Sequence, residues 1–370
     1  MARTWPVTRR KRALLATFDT VARPLSAVVF RKDDRKPGAI EKILVLELWH
    51  MGDVVLTTPL LQRLRETYPH ARITLLAKSH AKELLDGSGL VDEIVTFDFP
   101  WTAMTGKYNV SRYDRGAISD VVRKLKAEEF DLSLDCRMDL RSNILTRSIG
   151  ATRRIGYDFG GGGFLLTDAL PAPPADQHKV DDWMALLAPL DKSAGKKPVP
   201  DLKLSVSQAE RDDAARLLDS YGVGENDLVL GVHPGGSHEA KRWSEDNFAE
   251  VARTVEQSAG AKIVVFVDPD GFGSDMQLGK DAIFVRTSIR EMMALFTHCD
   301  AVLCNDSGPM HVAAALGVPV IAIFRTGNPR AYGPRGLNHA VVGEGAPWGE
   351  TTDVDVDDVL AATESALSRT

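Results

Sequence analysis

Apolar and polar positions along this chain fall into two kinds of block that take turns. Short, nearly continuous runs of Val, Ile and Leu occupy Ile43–Leu48, Ile73–Ala77, Glu93–Phe97 and the stretch from Leu132 to Leu134. They return at Asp227–Val232, Lys262–Val267, Ala301–Cys304 and Val318–Phe324. Runs this short and apolar on both faces predict strands of a parallel sheet covered on two sides. Between them apolar residues recur every three or four positions. That spacing predicts helices over Thr58–Tyr68, Ala81–Leu85, Asp120–Glu128, Ser244–Ser258, Ile289–Phe296, Met310–Leu316 and Asp357–Leu367. Strand and helix alternating in this way predict an α/β protein.

The alternation breaks near the middle. Pro171, Pro173, Pro174, Pro198 and Pro200 bracket a helical segment around Trp183–Leu190, and Lys192-Ser-Ala-Gly-Lys-Lys197 is polar and small. Such composition marks a connection between domains. The predicted organisation is therefore a leading extension over 1–40, one parallel-sheet domain over 41–190, a second over 191–350 and a closing helix over 351–370. The two domains are expected to face one another across a cleft.

The extension has its own pattern. Arg9, Arg10, Lys11 and Arg12 precede Leu14, Leu15, Phe18, Val21, Ala22, Leu25, Val28 and Val29 at helical spacing, and Arg31, Lys32, Arg35 and Lys36 close it. Asp19 and Arg23 interrupt any apolar core of a signal peptide. A basic amphipathic helix over residues 1–38 can lie on an anionic bilayer; the plainer reading packs it on the core, with Pro24 bending it. The expected location is cytoplasmic, with peripheral contact at the inner face of the cytoplasmic membrane as one outcome. No apolar run approaches the roughly 18 residues of a membrane span.

Bulk composition mainly excludes. A formal net charge of −6 offers no basic field, so nucleic acid is not an expected partner. Cys136, Cys299 and Cys304 lack the C-x-x-C spacing of a zinc or redox site.

Three strand ends carry candidate chemistry. Ile43-Leu-Val-Leu-Glu-Leu-Trp-His-Met-Gly-Asp53 runs from a strand into a polar turn. Strand ends are where α/β proteins meet ligands, and a carboxylate there can act as a base; the same carboxylate can merely cap a helix. Because proline belongs in a first turn, Pro59 predicts a helix starting near Thr58, with Asp53 left in a loop facing the cleft. In His233-Pro-Gly-Gly-Ser-His-Glu-Ala-Lys-Arg-Trp243, the glycines admit a ligand close to the backbone, and Gly236, Ser237 and Lys241 offer N–H, hydroxyl and ammonium donors to phosphate. In Asn305-Asp-Ser-Gly-Pro-Met-His311, a helix start follows a strand directly and suits a pyrophosphate, with His311 as a further donor. Asp268-Pro-Asp270 and the run Asp353–Asp358 are weighed for metal; the latter precedes a helix and lacks the glycine of a calcium loop, and no metal is assigned. The dinucleotide fingerprint is missing after the first strand, which speaks against a dehydrogenase.

Taken together, Met51-Gly-Asp53 with Pro59, Arg153-Arg-Ile-Gly156, Lys241-Arg-Trp243, Asp306-Ser-Gly308 with His311, and Pro334 resemble glycosyltransferase family 9, the bacterial heptosyltransferases. The resemblance covers most of the chain after about residue 41. It implies the GT-B fold, two Rossmann-like domains across a cleft. It implies inverting transfer of a sugar, usually a heptose from ADP-heptose, to a lipopolysaccharide-core acceptor, with the nucleotide-sugar as co-substrate and no cofactor or metal. By motif, Asp53 resembles the family's catalytic base, Lys241 the lysine on the donor phosphates, and Asp306, Ser307, Gly308 and His311 the donor-binding loop. Gly236 stands where some relatives carry threonine, and the leading helix is an extension. The lipid-linked or oligosaccharide acceptor is expected at the loop Phe97–Arg115, through Trp101, Arg112 and Arg115; the same loop can also be a packed flap. Two other readings fit the residues: a nucleotide-sugar epimerase of similar architecture, and a non-catalytic nucleotide-sugar-binding module that docks on membranes.

Overall fold

The computed structural model describes residues 38–103, 109, 113–191, 197–347 and 349–368. The proposed amphipathic extension and Arg112 lie outside the described residues.

The first sheet contains β1 (Lys42–Glu47), β2 (Arg72–Ala77), β3 (Glu93–Thr96), β4 (Leu132–Asp135), β5 (Arg153–Tyr157) and β6 (Asp168–Leu170). The second contains β7 (Val229–His233), β8 (Lys262–Phe266), β9 (Ile283–Val285), β10 (Ala301–Asn305), β11 (Val320–Ile323) and β12 (Ala340–Val342). All neighbouring strands pair in parallel. The orders are β3-β2-β1-β4-β5-β6 and β12-β11-β10-β7-β8-β9. Numbered from its own first strand, the second sheet repeats the order of the first, the Rossmann pattern. In such sheets the order reverses beside the first strand, and ligands bind outside the strand ends there. Those points fall between β1 and β4 and between β7 and β10. The segments that follow these four strands carry Asp53, Arg137, Gly236 and Asp306.

Why these strands form is visible in their burial. Ile43, Leu44, Val45 and Leu46 are all fully covered, with alternate side chains entering opposite faces of the sheet. One core joins the two halves: Ile43, Val55 and Leu61 of the first belong to the same apolar cluster as Met293, Met310 and Val312 of the second. Helix Val356–Leu367 is not detached from the second half, since Val359, Ala366 and Leu367 pack into its outer core.

Helix Gln208–Ser220, which follows the connection, escapes a pattern reading because only Ala214 and Leu218 of it are buried. Its capping box, Ser207 with Glu210, is nevertheless written in the sequence. Helix Leu140–Ile149 and strands β5, β6, β9 and β12 are further additions to the predicted elements.

The connection itself is tied to the first half. Arg63 Nη2 donates to Pro198 O at 2.6 Å, Gln62 Nε2 to Asp201 O at 2.6 Å, and Lys203 N–H to Thr58 Oγ1 at 3.0 Å. From the second half, Arg290 pairs with Glu210 through Nε at 2.7 Å and donates through Nη1 to Ser205 O at 2.9 Å and Glu83 O at 3.2 Å. Arg335 meets Asp181 with two bonds of 3.0 and 3.1 Å, and His178 Nε2 lies 3.0 Å from Gly333 O.

Candidate functional site

Asp53 does not sit in a loop. A six-residue helix, Met51–Leu56, starts directly after the turn at His50, and Asp53 is its third residue. Preceded by that short helix, Pro59 stands in the first turn of helix Thr58–Thr67, as the sequence predicts. Lacking an N–H, it cannot bond the carbonyl of Val55, and the Thr58 hydroxyl takes that carbonyl instead at 2.8 Å. A second helix, Thr58–Thr67, then continues. Within the first turn, the Asp53 carboxylate accepts the His50 N–H at 3.1 Å. This fixes the side chain at the helix start, with its outer face toward the other half.

The two halves meet helix start to helix start. A Cβ added at Gly52 would stand 2.6 Å from His311 Cδ2, and one added at Gly308 would stand 2.9 Å from Met51 Sδ. Each helix therefore carries a notch that receives a side chain from its opposite number. Helix Gly308–Ala315 begins at Ser307, whose hydroxyl makes no capping bond. Among the described residues Ser307 Oγ and His311 Nδ1 are buried without a partner. Such groups are costly unless something satisfies them, and both lie at a strand end facing the cleft.

Around this seam the charges are unevenly spread. Lys241, in a 3₁₀ turn after β7, donates to Asp306 Oδ2 at 2.6 Å and to Asp306 O at 3.3 Å. Two sequence-selected residues thus bind each other across the second switch point. Burial raises the Asp53 pKa, while the His50 N–H and the charges of Lys179, Lys241 and Arg137 pull it down; the net shift is upward. A carboxyl group with a raised pKa is a stronger base than a free aspartate. Burial pushes His311 down to about 3, with His178 and Lys241 adding to the effect. Its imidazole is neutral near pH 7 and offers a hydrogen bond, not a charge.

Several residues that sequence reasoning did not select also belong here. Glu47 is fully covered at the end of β1. Arg137, after β4, lies with Cζ 4.0 Å from the Trp49 ring centroid and bonds Asp139 Oδ2 at 2.7 Å. Lys179 is buried, with Nζ 2.5 Å from Asp182 Oδ2 and 5.6 Å from the Tyr332 ring centroid. The signal for Glu47 was present, a carboxylate in an otherwise apolar strand. Arg137 and Lys179 carry none, because the loop after β4 and the turn at His178 approach Asp53 only through the fold.

The remaining sequence-selected residues lie further from this seam. Gly236 N–H donates to Asp268 Oδ2 at 3.2 Å, and Ser237 is exposed. Asp268 and Asp270, weighed above for metal, both receive Arg242, at 3.3 and 2.5 Å. Trp101 stacks on Phe99 at 4.7 Å and lies 5.9 Å from Tyr113, so this part of the loop is a packed aromatic ladder. It still touches the site through Lys78, which donates to Thr102 O at 3.1 Å and bears electrostatically on Asp53. Arg115 is exposed at the start of helix Arg115–Ala127.

Comparison with known proteins follows from this geometry. A profile described as glycosyltransferase family 9 (heptosyltransferase) matches residues 118–357. The lipopolysaccharide core heptosyltransferase OpsX of Haemophilus influenzae is 25% identical over 307 residues, 80% of this chain and 82% of that protein. Lipopolysaccharide heptosyltransferase 2 of Escherichia coli is 24% identical over 308 residues, 78% of this chain and 84% of that protein. Among solved structures, a glycosyl transferase family 9 protein from Veillonella parvula superposes with a TM-score of 0.74 at 23% identity, covering 91% of this chain and all 100% of its own. ADP-heptose lps heptosyltransferase II of E. coli gives 0.73 at 22%, covering 89% and 99%. The structural likenesses show the same two-sheet fold.

Proposed function

Because the chain belongs to glycosyltransferase family 9, we propose that it transfers a heptose from ADP-heptose, with inversion, to a hydroxyl of a lipopolysaccharide-core acceptor. The enzyme is a glycosyltransferase; donor, acceptor and residue roles are our reading. The observation that carries it is the seam itself: Asp53 on one helix start, and Lys241, Ser307 and His311 at the other, brought together by the reciprocal notches at Gly52 and Gly308. The names of the relatives, lipopolysaccharide core heptosyltransferases in H. influenzae and E. coli, support the acceptor class.

In this reading, residues 41–190 bind the acceptor and residues 191–350 the donor. The acceptor oxygen attacks the anomeric carbon as its proton passes to Asp53. Base assistance of this kind contributes about 10²–10⁴-fold. The bond from that carbon to the phosphate oxygen breaks, and the electron pair leaves with the nucleoside diphosphate. Lys241, the N–H groups at the start of helix Gly308–Ala315, the Ser307 hydroxyl and neutral His311 hold the growing charge. Gly236 and Ser237 line the donor side. Trp101, Arg112 and Arg115 are assigned to the acceptor side. No covalent intermediate, metal or cofactor is invoked. The extension over residues 1–38 is assigned to the inner membrane surface, where a lipid-linked acceptor is found; among the described residues no helix is long and apolar enough to cross a membrane.

Two measurements test this. Thermal shift with ADP, UDP, GDP and dTDP ranks the donor nucleotide, since stabilisation follows ligand concentration over Kd; a preference for a nucleotide other than ADP overturns the donor assignment. Asp53→Asn is expected to abolish transfer while ADP still binds, and parental turnover overturns the base assignment.

A further inference from the structure

Glu47 is used by no step above, yet it touches the chain on both sides of Asp53. It leaves the end of β1 with its carboxyl group wholly out of water. One oxygen, Oε1, accepts the Trp49 N–H at 3.0 Å, in the turn that precedes helix Met51–Leu56. The other, Oε2, lies 3.3 Å from Thr57 Oγ1, on the residue that ends the same helix. Thr57 Oγ1 is also 2.8 Å from Asp53 O. A hydroxyl has one proton. A carbonyl oxygen can only accept, so the Thr57 proton points to Asp53 O at the shorter distance. The contact with Oε2 is then a hydrogen bond only if Glu47 supplies the proton.

We propose that Glu47 is a positioning residue of the transfer reaction: a neutral, buried carboxylic acid that accepts from Trp49, donates to Thr57 and so clamps both ends of the short helix that presents Asp53. The proposal rests on the reading of Asp53 as the base. Its charge logic follows from elementary electrostatics: two neighbouring carboxyl groups do not both ionise cheaply, and the one without water keeps the proton. Glu47 has no exposure, whereas Asp53 is only partly buried. Burial and then the Asp53 charge drive Glu47 upward; the Trp49 N–H, the Arg137 charge and the Thr57 contact oppose them, and the net shift is strongly upward. The charge of an ionised Glu47 would in turn bear on Lys78, Cys136 and Tyr332, of which only Lys78 is itself a cation. A six-residue helix does not hold its shape alone in water; a clamp at each end supplies what its length does not. Glu47 also leaves Asp53 the sole anion of the pair, ready to take a proton.

The test combines kinetics with infrared spectroscopy on the full chain. Glu47→Ala is expected to lower kcat by on the order of 10²-fold, the loss that a displacement near 1 Å produces, with donor KM little altered. Glu47→Gln keeps one acceptor and one donor in place and is expected to bring kcat back to within about threefold of the parent, a rescue of the kind that hydrogen bonding alone permits. At pH 8, above the value of about 6 to which burial raises Asp135, the parent is expected to show the carbonyl stretch of a protonated carboxyl group. That band should vanish in Glu47→Gln and persist in Asp53→Asn. A Glu47→Gln enzyme as slow as Glu47→Ala, a folded Glu47→Ala enzyme with parental kcat, or a band that survives in Glu47→Gln overturns the proposal. Parental transfer by Asp53→Asn with the band intact instead overturns the base assignment, so the two failures are told apart.

Discussion

Substituting Gly52 by alanine tests whether contact between the two helix starts governs the reaction. The added Cβ would lie 2.6 Å from His311 Cδ2. Carbon atoms pack at about 3.5–4.0 Å, so the shortfall is ~1 Å. His311 is a rigid ring with only 4% of its surface exposed, and it has nowhere to retreat. Two energies oppose each other. Alanine is favoured over glycine inside a helix by up to about 1 kcal/mol. Overfilling a packed contact costs about 1–3 kcal/mol. The second effect wins, and it is relieved most cheaply by spreading the seam, because the clash lies between halves. Spreading by ~1 Å separates base from donor, which costs on the order of 10²-fold in rate. We therefore expect Gly52→Ala to fold, to bind ADP about as the parent does, and to lose about two decades of kcat. Gly308→Ala is the milder case: the added Cβ would meet Met51 Sδ at 2.9 Å, Cγ at 3.1 Å and Cβ at 3.0 Å; the thioether can rotate away, and the backbone-fixed Cβ contact that stays is longer than the 2.6 Å at Gly52, so the loss should be smaller. Initial-rate transfer at saturating donor, with calorimetry for ADP, measures both. Parental kcat in Gly52→Ala, or an equal loss in the two variants, refutes the reasoning.

Three further outcomes are expected. Lys241→Ala removes a charge-assisted donor worth about 1.5–3 kcal/mol, so the Kd for ADP should rise about 10- to 150-fold; adding Asp306→Asn should then weaken binding by less than the sum, since the two side chains share a 2.6 Å bond, and strict additivity would remove that coupling. His311 lies at about 3 and is neutral from pH 5.5 to 8, so the ratio of ADP Kd values for His311→Asn and parent should stay flat across that range; a ratio that grows toward pH 5.5 would reveal an imidazolium. Glu210 is depressed to about 2, chiefly by its bond to Arg290. A carboxyl with a lowered folded pKa stabilises above its unfolded value, near 4.5, and loses that stabilisation as pH falls toward 2. The destabilisation of Arg290→Ala, measured by chemical denaturation, should therefore shrink from pH 6 to pH 3; a constant difference would assign it to something other than this pair.

The sequence made the sheets legible because their strands are short, apolar runs whose burial needs no tertiary knowledge. Ile289–Phe296 was placed to the residue for the same reason, its Met and Leu side chains filling one face. Edge strands such as Ile283–Val285, three residues long, have no such excess. The helix start near Thr58 was legible from Pro59. The helix before it, which holds Asp53, was not, because six residues carry no readable period; where the two meet, Thr58 lends its hydroxyl to the carbonyl that Pro59 leaves open. The residues selected at strand ends were recognisable from local chemistry. Arg137 and Lys179 were not, since what makes them part of the site is proximity across loops; Glu47 carried a signal, a carboxylate in an otherwise apolar strand, but its partners Trp49 and Thr57 are brought to it only by the fold.

The covalent joint between the halves is shorter than the chain between them. Arg63, Gln62 and Thr58 hold the connector down as far as Lys203, and helix Gln208–Ser220 begins its cap at Ser207. Of the three residues between, a span of about 10 Å, Val206 is buried in the core shared by the halves and Leu204 packs against it, and Arg290 grips the carbonyl of Ser205. A joint gripped on both sides in this way is no loose tether: the register in which the two walls of the seam meet is set by these anchors as well as by the seam itself.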